Sequence, residues 1–102
     1  MFKAMVMLSR RHDMSADEFR HWWLNDHAPL AAQLAGVRRV IFNEVADSSE
    51  VDGISELWFD SEADFHVAYA APLGQSVASD SMAHVRSRTR FFVIEHPIVD
   101  VA

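Results

Sequence analysis

The chain has no cysteine among its 102 residues, which excludes a disulfide framework and any chemistry that needs a thiolate. No apolar run approaches the roughly 20 residues that a membrane-spanning helix requires. The basic residues near the N-terminus follow the first apolar stretch, and nothing like a cleavage site comes after them, so we expect no signal peptide. Together these absences predict a soluble, cytoplasmic protein with no membrane partner.

The chain also lacks an excess of positive charge. Its net charge is -6 and its pI is about 5.3, so we expect no nucleic-acid partner. Neither the glycine-rich motifs of nucleotide-binding proteins nor the G-x-S-x-G motif of serine hydrolases occurs. Six histidines are present, but none has the close spacing typical of metal ligands. We therefore predict no metal site.

Apolar and aromatic side chains are plentiful. Hydrophobic residues make up 50% of the sequence, with seven Phe and three Trp, which excludes a disordered chain. The length suits one domain over residues 1–102 that buries roughly two-thirds of its unfolded surface. No internal repeat or low-complexity tract divides it.

The first half of the chain alternates strand and helix patterns. Residues 2–8 form a short apolar strand pattern, and residues 9–14 read as a loop. Ser15, followed three residues later by Glu18, predicts a capping box at the start of a long helix that ends at Gly36. Residues 37–45 alternate as a strand with two distinct faces.

The second half completes the pattern. The polar turn over residues 46–52 is too short for a helix, which favours an antiparallel hairpin with a strand over residues 53–59. A second helix begins at Ser61 and ends near Pro72. Residues 72–81 predict a loop or short helix, residues 80–86 one or two helical turns, and residues 89–95 the last strand.

The order strand, helix, strand, strand, helix, strand predicts an α+β, ferredoxin-like βαββαβ fold. Its four-stranded antiparallel sheet would carry both helices on one face. Because the strands have apolar residues on both faces, the second face must also be covered. A partner subunit is the simplest cover.

The long helix is interrupted at residues 26–29. A regular helix places Asp26 on the apolar stripe and His27 on its flank, and Pro29 predicts a kink or break over residues 25–28. On one interpretation Asp26 caps a second helical segment and His27 is structural. On the other, the kink opens a pocket into which His27 points as a general acid or base, with Trp22 and Trp23 as apolar walls.

Polar residues on two strands are further candidates. Glu56 lies mid-strand between apolar residues, where it either pairs with Arg39 or serves as the acid–base partner of His27. Asn43 either donates a hydrogen bond to a ligand carbonyl or is an ordinary polar residue at a strand end. Phe42, on the other face of that strand, is a candidate pocket wall.

Asp80 and His84 are four residues apart, one helical turn. If their segment covers the pocket, Asp80 orients His84. Otherwise Asp80 caps a helix and His84 is exposed.

Three segments resemble the signature of the EthD family. The long helix carries a matching phenylalanine, tryptophan and His-x-Pro motif, at Phe19, Trp22 and residues 27–30. Residues 52–61 resemble the family's third strand and the start of the following helix. Asp80 and the stretch leading into residues 89–95 are similar to its closing region. The resemblance covers nearly the whole chain.

The resemblance implies a dimeric α/β barrel, in which the open sheet faces of two subunits pack together, and hence a homodimer. It also implies chemistry or ligand binding without a cofactor. Relatives include lactone isomerases of aromatic degradation, and polyketide cyclases, dehydratases and oxygenases that use no metal or flavin. The family histidine carries over to His27. No second catalytic group carries over as reliably, because His66 and His84 match no family position.

We therefore predict a cofactor-independent enzyme that acts on a small cyclic or aromatic metabolite by proton transfer at His27. The alternatives are a non-catalytic dimer that binds such a molecule, and a structural oligomer without a small-molecule site. The predicted ligand is small and apolar or aromatic, and the side chains predicted to contact it are Trp22, Trp23, Phe42, Asn43, Glu56, Asp80 and His84.

Overall fold

The computed structural model describes residues 1–48 and 50–100. Residue 49 of the predicted 46–52 turn and the last two residues of the chain lie outside these ranges. The elements in chain order are β1 (Phe2–Arg10), α1 (Ala16–His21), a π-helical segment (Trp22–His27), α2 (Ala28–Ala31), β2 (Arg39–Glu44), β3 (Gly53–Phe59), α3 (Glu62–Ala70), α4 (Pro72–His84) and β4 (Val85–Val93).

The four strands form one sheet in the order β2-β3-β1-β4, and each neighbouring pair is antiparallel. This is the predicted ferredoxin-like arrangement, and it is confirmed. Helical residues such as Trp23, Phe65 and Val77 pack with the inward side chains of β1 and β3 in one buried cluster. The largest fully buried side chains are Trp23, Phe59 and Leu8. The core therefore lies between the helices and one face of the sheet.

The capping box is present at the start of α1. The Ser15 Oγ accepts the backbone N–H of Glu18 at 3.1 Å, and the Glu18 carboxylate accepts the backbone N–H of Ser15 at 2.9 Å. Two N–H groups that the first helical turn leaves without partners are thereby satisfied. The local sequence alone fixes where this helix begins.

The predicted break around Pro29 takes the form of a π-helical segment. Its last hydrogen bond runs from the Ala28 N–H to the Trp23 carbonyl, five residues back, and the backbone angles remain helical. Pro29 then falls in the first turn of α2, where a missing N–H costs little. The helical path is therefore continuous from residue 16 to residue 31, and the irregularity is one extra residue per turn rather than a break.

Two boundaries in the second half differ from expectation. Residues 72–84, predicted as a loop and a few helical turns, form the single helix α4, with Pro72 in its first turn. β4 begins at Val85, four residues before the predicted start, because its alternating arginines hide the apolar alternation that marks a strand. β1 likewise extends to Arg10, into the predicted loop.

The face of the sheet opposite the helices is apolar at its centre. The strand register places Met5 beside Phe91 and Glu56, and Met7 beside Ile54. Ile41 also faces this side, opposite Glu56. Phe91 is 47% exposed in the single chain. The expectation of apolar residues on both sheet faces is thus met.

Gly53 leaves the space that Trp23 fills. A Cβ at this position would lie 2.5 Å from the Trp23 ring, and the ring is fully buried. We expect Gly53→Ala to lower the free energy of unfolding by about 1–3 kcal/mol through overpacking, measured by urea denaturation. In a Trp23→Phe background the cost should fall, because the smaller ring leaves room. An equal cost in both backgrounds would contradict the clash.

Candidate functional site

His27 closes the π-helical segment, and its side chain is buried, with only 4% of the residue exposed. The additional residue of a π-helical turn rotates the next residues of the chain about the helix axis, relative to a regular α-helix. Asp26 is exposed, so its carboxylate avoids the cost of burial without a partner. The irregularity therefore turns His27, rather than Asp26, toward the core.

Asp80, on α4, fixes the orientation of the His27 ring. Its Oδ2 lies 2.9 Å from His27 Nδ1 and also accepts a hydrogen bond from the Trp22 indole N–H at 3.1 Å. A carboxylate with two such neighbours acts as the acceptor, so Nδ1 of His27 carries the proton. The free lone pair of the neutral imidazole is consequently on Nε2.

Ser81 occupies the Nε2 side of the ring. Its Oγ lies 3.2 Å from Nε2 and the residue is 4% exposed. With Nδ1 protonated, the serine hydroxyl donates to Nε2. Asp80, His27 and Ser81 thus form a continuous hydrogen-bonded chain in which a proton can pass through the imidazole. No local pattern in the sequence marks Ser81, because its place beside His27 depends on how α4 packs.

Burial lowers the pKa of His27 below its ordinary value. The Asp80 carboxylate acts in the opposite direction, through both its hydrogen bond and its charge, while the charges of His84 and Arg88 lower the pKa further. The net direction is downward, so His27 is neutral in the folded protein at neutral pH. A neutral imidazole is the form that accepts a proton.

His84 contacts the outer side of the same cluster. Its Nδ1 lies 2.7 Å from the backbone carbonyl of Asp80, to which it donates, and 3.5 Å from the Asp80 Oδ1. The ring stacks on Trp22 with centroids 4.3 Å apart, while Trp22 packs against His27 at 5.0 Å. Asp80 therefore orients His27 directly, and His84 is separated from His27 by the Trp22 ring.

Phe42 and Trp23 stack with ring centroids 4.5 Å apart. Trp23 is fully buried, and its indole N–H has no hydrogen-bond partner within the described ranges. Phe42 lines the cavity beside His27, whereas Trp22 and Trp23 do not. Of the three predicted walls, Phe42 lines the space next to His27, Trp23 stacks on Phe42, and Trp22 packs against the His27 ring.

The cavity beside His27 lies between the helices and the sheet. Its free volume is about 10 Å³, close to what one water molecule needs. An aromatic ligand therefore requires side chains to move apart before it can enter. The cavity also carries polar groups outside the set of side chains predicted to contact the ligand. These are Ser55, Tyr69, Ser81 and Arg88.

Glu56 and Asn43 lie on the opposite face of the sheet from His27. Lys3 Nζ is 2.6 Å from the Glu56 carboxylate, and the Asn43 amide donates to the same carboxylate at 2.9 Å. Burial acts to raise the pKa of Glu56, but the bonds from Lys3 and Asn43 outweigh it and the pKa is lowered. These positions correct the expectation that either residue shares a pocket with His27.

The expected pairing of Glu56 with Arg39 is also replaced, since Arg39 lies over the Trp58 ring, 4.8 Å from its centroid. Lys3, which lies near the start of β1, takes the role of the partner cation.

Neither a metal centre nor a membrane span is present in residues 1–48 and 50–100. In that part of the chain no three His, Cys, Asp or Glu side chains come together in a way that would hold a metal ion. No helix there is both long and apolar enough to cross a membrane.

The element order and the antiparallel sheet define a class, the ferredoxin-like α+β domains. The profile of the EthD domain matches residues 11–85, a span that includes the long helix, His27, Asp80 and Ser81. The chain therefore belongs to the EthD family. No curated protein sequence is significantly similar to it.

Solved structures show the same fold. An EthD family protein from Bacillus halodurans has a TM-score of 0.82 at 20% identity, covering 94% of this chain and 100% of its own. A dimeric ferredoxin-like protein of unknown function from Bacteroides fragilis has a TM-score of 0.72 at 14% identity, covering 90% and 93%. The cofactor-independent oxygenase SnoaB from Streptomyces nogalater also has 0.72 at 14%, covering 92% and 91%.

We expect NMR titration of the His27 imidazole to give a pKa below the ordinary histidine value of about 6.5. The Asp80→Asn variant should lower it further, because the charge that favours the imidazolium is lost. A His27 pKa at or above 6.5 in the wild-type protein would contradict the assigned burial.

The lowered pKa of His27 also makes the free energy of unfolding depend on pH. The unfolded chain takes up a proton at His27 as the pH falls below about 6.5, while the folded chain does not. The contribution of His27 to the free energy of unfolding is therefore complete above that pH and is lost as the pH falls toward the folded pKa. His27→Gln should flatten this part of the profile, and His66→Gln, at an exposed histidine, should leave it unchanged.

Proposed function

We propose that the protein is a cofactor-independent enzyme that transfers a proton on a small cyclic or aromatic metabolite, with His27 as the acid–base group. One observation carries the proposal. His27 is buried, is held through Nδ1 by Asp80 at 2.9 Å, and lines a cavity. Its Nε2 is the proton-accepting nitrogen, and only the Ser81 hydroxyl has to turn away before Nε2 can reach a ligand.

The geometry suggests how the step proceeds. Nε2 takes a proton from a C–H or O–H group of the ligand, and the electron pair of that bond stays on the ligand. The imidazolium formed is stabilised by the Asp80 carboxylate. His27 then returns the proton to another atom of the ligand, as in an isomerisation or dehydration. Ser81 either relays the proton or yields its hydrogen bond to the ligand.

Membership of the EthD family and the fold shared with a cofactor-independent oxygenase support a site of this kind. At 14% identity the oxygenase shows the fold alone. The reaction type is therefore proposed only as isomerase, cyclase, dehydratase or oxygenase. The cytoplasmic location likewise stays a prediction from the sequence.

A non-catalytic binding role is the second candidate, and one observation favours it. Both nitrogens of His27 have hydrogen-bond partners, and the cavity has a free volume of only about 10 Å³. A histidine satisfied in this way can hold Asp80 and Ser81 in place without titrating. Both roles predict ligand binding, but only the catalytic role predicts turnover, so a turnover measurement distinguishes them.

His27→Gln should reduce turnover by roughly 100- to 10,000-fold, the usual contribution of a positioned acid–base group. The measurement is exchange of substrate hydrogen for deuterium in D₂O, followed by NMR across a panel of cyclic ketones, lactones and phenols. His66→Gln is the matched control, because His66 is exposed and contacts only the surface acid Glu62 among the polar neighbours described. Wild-type exchange in His27→Gln would reject the catalytic role.

We further propose that two chains form a homodimer through the open sheet face. The apolar centre of that face supports this, as do two structurally similar proteins described as dimeric, from Bacteroides fragilis and Thermobifida fusca. Buried in a dimer, residues such as Met5, Ile54 and Phe91 would leave water.

Light scattering should give about twice the chain mass of 11.6 kDa. Met7→Glu should shift the equilibrium toward monomer, because Met7 lies on the open face beside Ile54. Val67→Glu places the same charge at a 67% exposed position on α3 and should leave the mass unchanged. A wild-type monomer at high concentration would refute the dimer.

A further inference from the structure

Arg88 is a half-buried cation without a counter-ion among the described residues. Over residues 1–48 and 50–100 it makes no ion pair and no hydrogen bond, and its Nε is buried without a partner. The other arginines with buried or surface acids nearby are paired, as Arg10 is with Asp52 and Arg38 with Asp60. Burying an N–H of a charged guanidinium without an acceptor is costly, so the Nε of Arg88 lacks a partner that a ligand could supply.

The Arg88 side chain faces the cavity beside His27. It stands opposite Leu8 in the sheet register, on the helix side, and lines the cavity together with His27, Ser81 and Tyr69. Burial raises the pKa of Tyr69, so the phenol is neutral and supplies no negative charge. The Asp80 carboxylate is already bonded to His27 and Trp22. The groups described around this space therefore leave the positive charge of Arg88 uncompensated.

The chain has 15 acidic residues against nine Lys and Arg, and yet none of the described acids is placed against this guanidinium. Lys3, the buried cation on the other side of the sheet, has Glu56 at 2.6 Å. An acid at any cavity position facing Arg88 would have satisfied it in the same way. Instead those positions hold Ser, Tyr, the neutral His27 and apolar residues.

We propose that Arg88 binds an anionic oxygen of the ligand, so that the site takes cyclic compounds bearing a carboxylate or an ionised hydroxyl group. The inference rests on the proposed function for the place of the ligand beside His27. The cavity's free volume of about 10 Å³ accommodates one oxygen atom. The partly exposed Phe42, Tyr69 and Arg88 mark where the remainder of the ligand would extend toward solvent.

Arg88 and His27 then have complementary tasks. When Nε2 takes the proton of a ligand O–H, the electron pair of the broken bond remains on that oxygen. The guanidinium stabilises the resulting charge by charge-assisted hydrogen bonds. A ligand that enters as a carboxylate is already ionised and binds the Arg88 guanidinium directly. Either source gives an anionic oxygen at Arg88.

The test is binding, without turnover. 4-Nitrophenol is titrated with wild-type protein at a pH where it is mostly neutral, and the visible absorption of its phenolate is followed. Benzoate is then used as a competitor, with neutral benzamide of the same shape alongside. The variants are Arg88→Gln, Arg88→Lys, His27→Gln and Arg86→Gln. Arg86 is the matched control, because it is an exposed arginine on the same strand that donates to the Arg10 carbonyl.

We expect the wild-type protein to increase the phenolate signal and benzoate, but not benzamide, to reverse it. Arg88→Gln should weaken both probes roughly 10- to 100-fold. Arg88→Lys should retain much of the affinity, and Arg86→Gln should bind as the wild type does. Arg88→Gln should also be at least as stable as the wild type in urea, because it removes a charge that has no partner among the described residues.

Wild-type affinity in Arg88→Gln would overturn the proposal, as would equal competition by benzamide and benzoate, or no anion binding by the wild-type protein. The two probes separate the sources when benzoate is also titrated directly by calorimetry. Benzoate binding without a phenolate signal identifies carboxylates, and a phenolate signal that benzoate does not reverse identifies ionised hydroxyls. His27→Gln separates this inference from the proposed function. Anion binding that depends on Arg88, in a wild-type protein that shows no turnover or whose turnover survives His27→Gln, would sustain the former and reject the latter.

Discussion

The hydrogen bond between His27 and Asp80 joins two helical elements, and the two residues are 53 positions apart in the chain. It exists only because the π-helical segment turns His27 inward and because α4 is one continuous helix that brings Asp80 and Ser81 to the ring. In a buried setting this contact is also an electrostatic constraint. It sets the tautomer of His27, directs Nε2 toward the Ser81 hydroxyl, and places the Asp80 carboxylate on the opposite side of the ring from Nε2.

Much of the fold could be predicted because its signals are local. The capping box depends on residues 15–18 alone, and the faces of β2 and β3 follow from a period of two. His27 is prominent in the sequence for three reasons. It interrupts an apolar stripe, it stands just before Pro29, which disfavours a regular helix, and it matches the family histidine. A π-helical segment accommodates the missing N–H of Pro29, as the predicted break would have done, but it loses fewer backbone hydrogen bonds. Sequence identified the place of the irregularity but not its form.

The remainder of the site depends on packing that no local signal encodes. Residues 86–90 alternate arginine with smaller residues, and either set could face the helices. A register irregularity between Ser9 and Arg10 lies beside the point where Arg88 turns inward, and nothing in the sequence marks it. Glu56 shows the converse case. The strand of Glu56 and its position on one face of that strand were predicted correctly. The helices cover the other face of the sheet, so Glu56 does not share a pocket with His27.

The sheet therefore separates two cations with opposite surroundings. Lys3 has a carboxylate at 2.6 Å and an aromatic ring, Trp58, at 4.5 Å, which is how a folded chain normally offsets the desolvation of a charge. Among the described residues Arg88 has neither, although the chain is rich in acids. A cation that is paired within the protein contributes to the stability of the fold. An unpaired cation beside a neutral histidine lowers that stability, and the cost is recovered only when a ligand supplies the missing negative charge. This asymmetry supports placing the proposed chemistry on the helix side of the sheet.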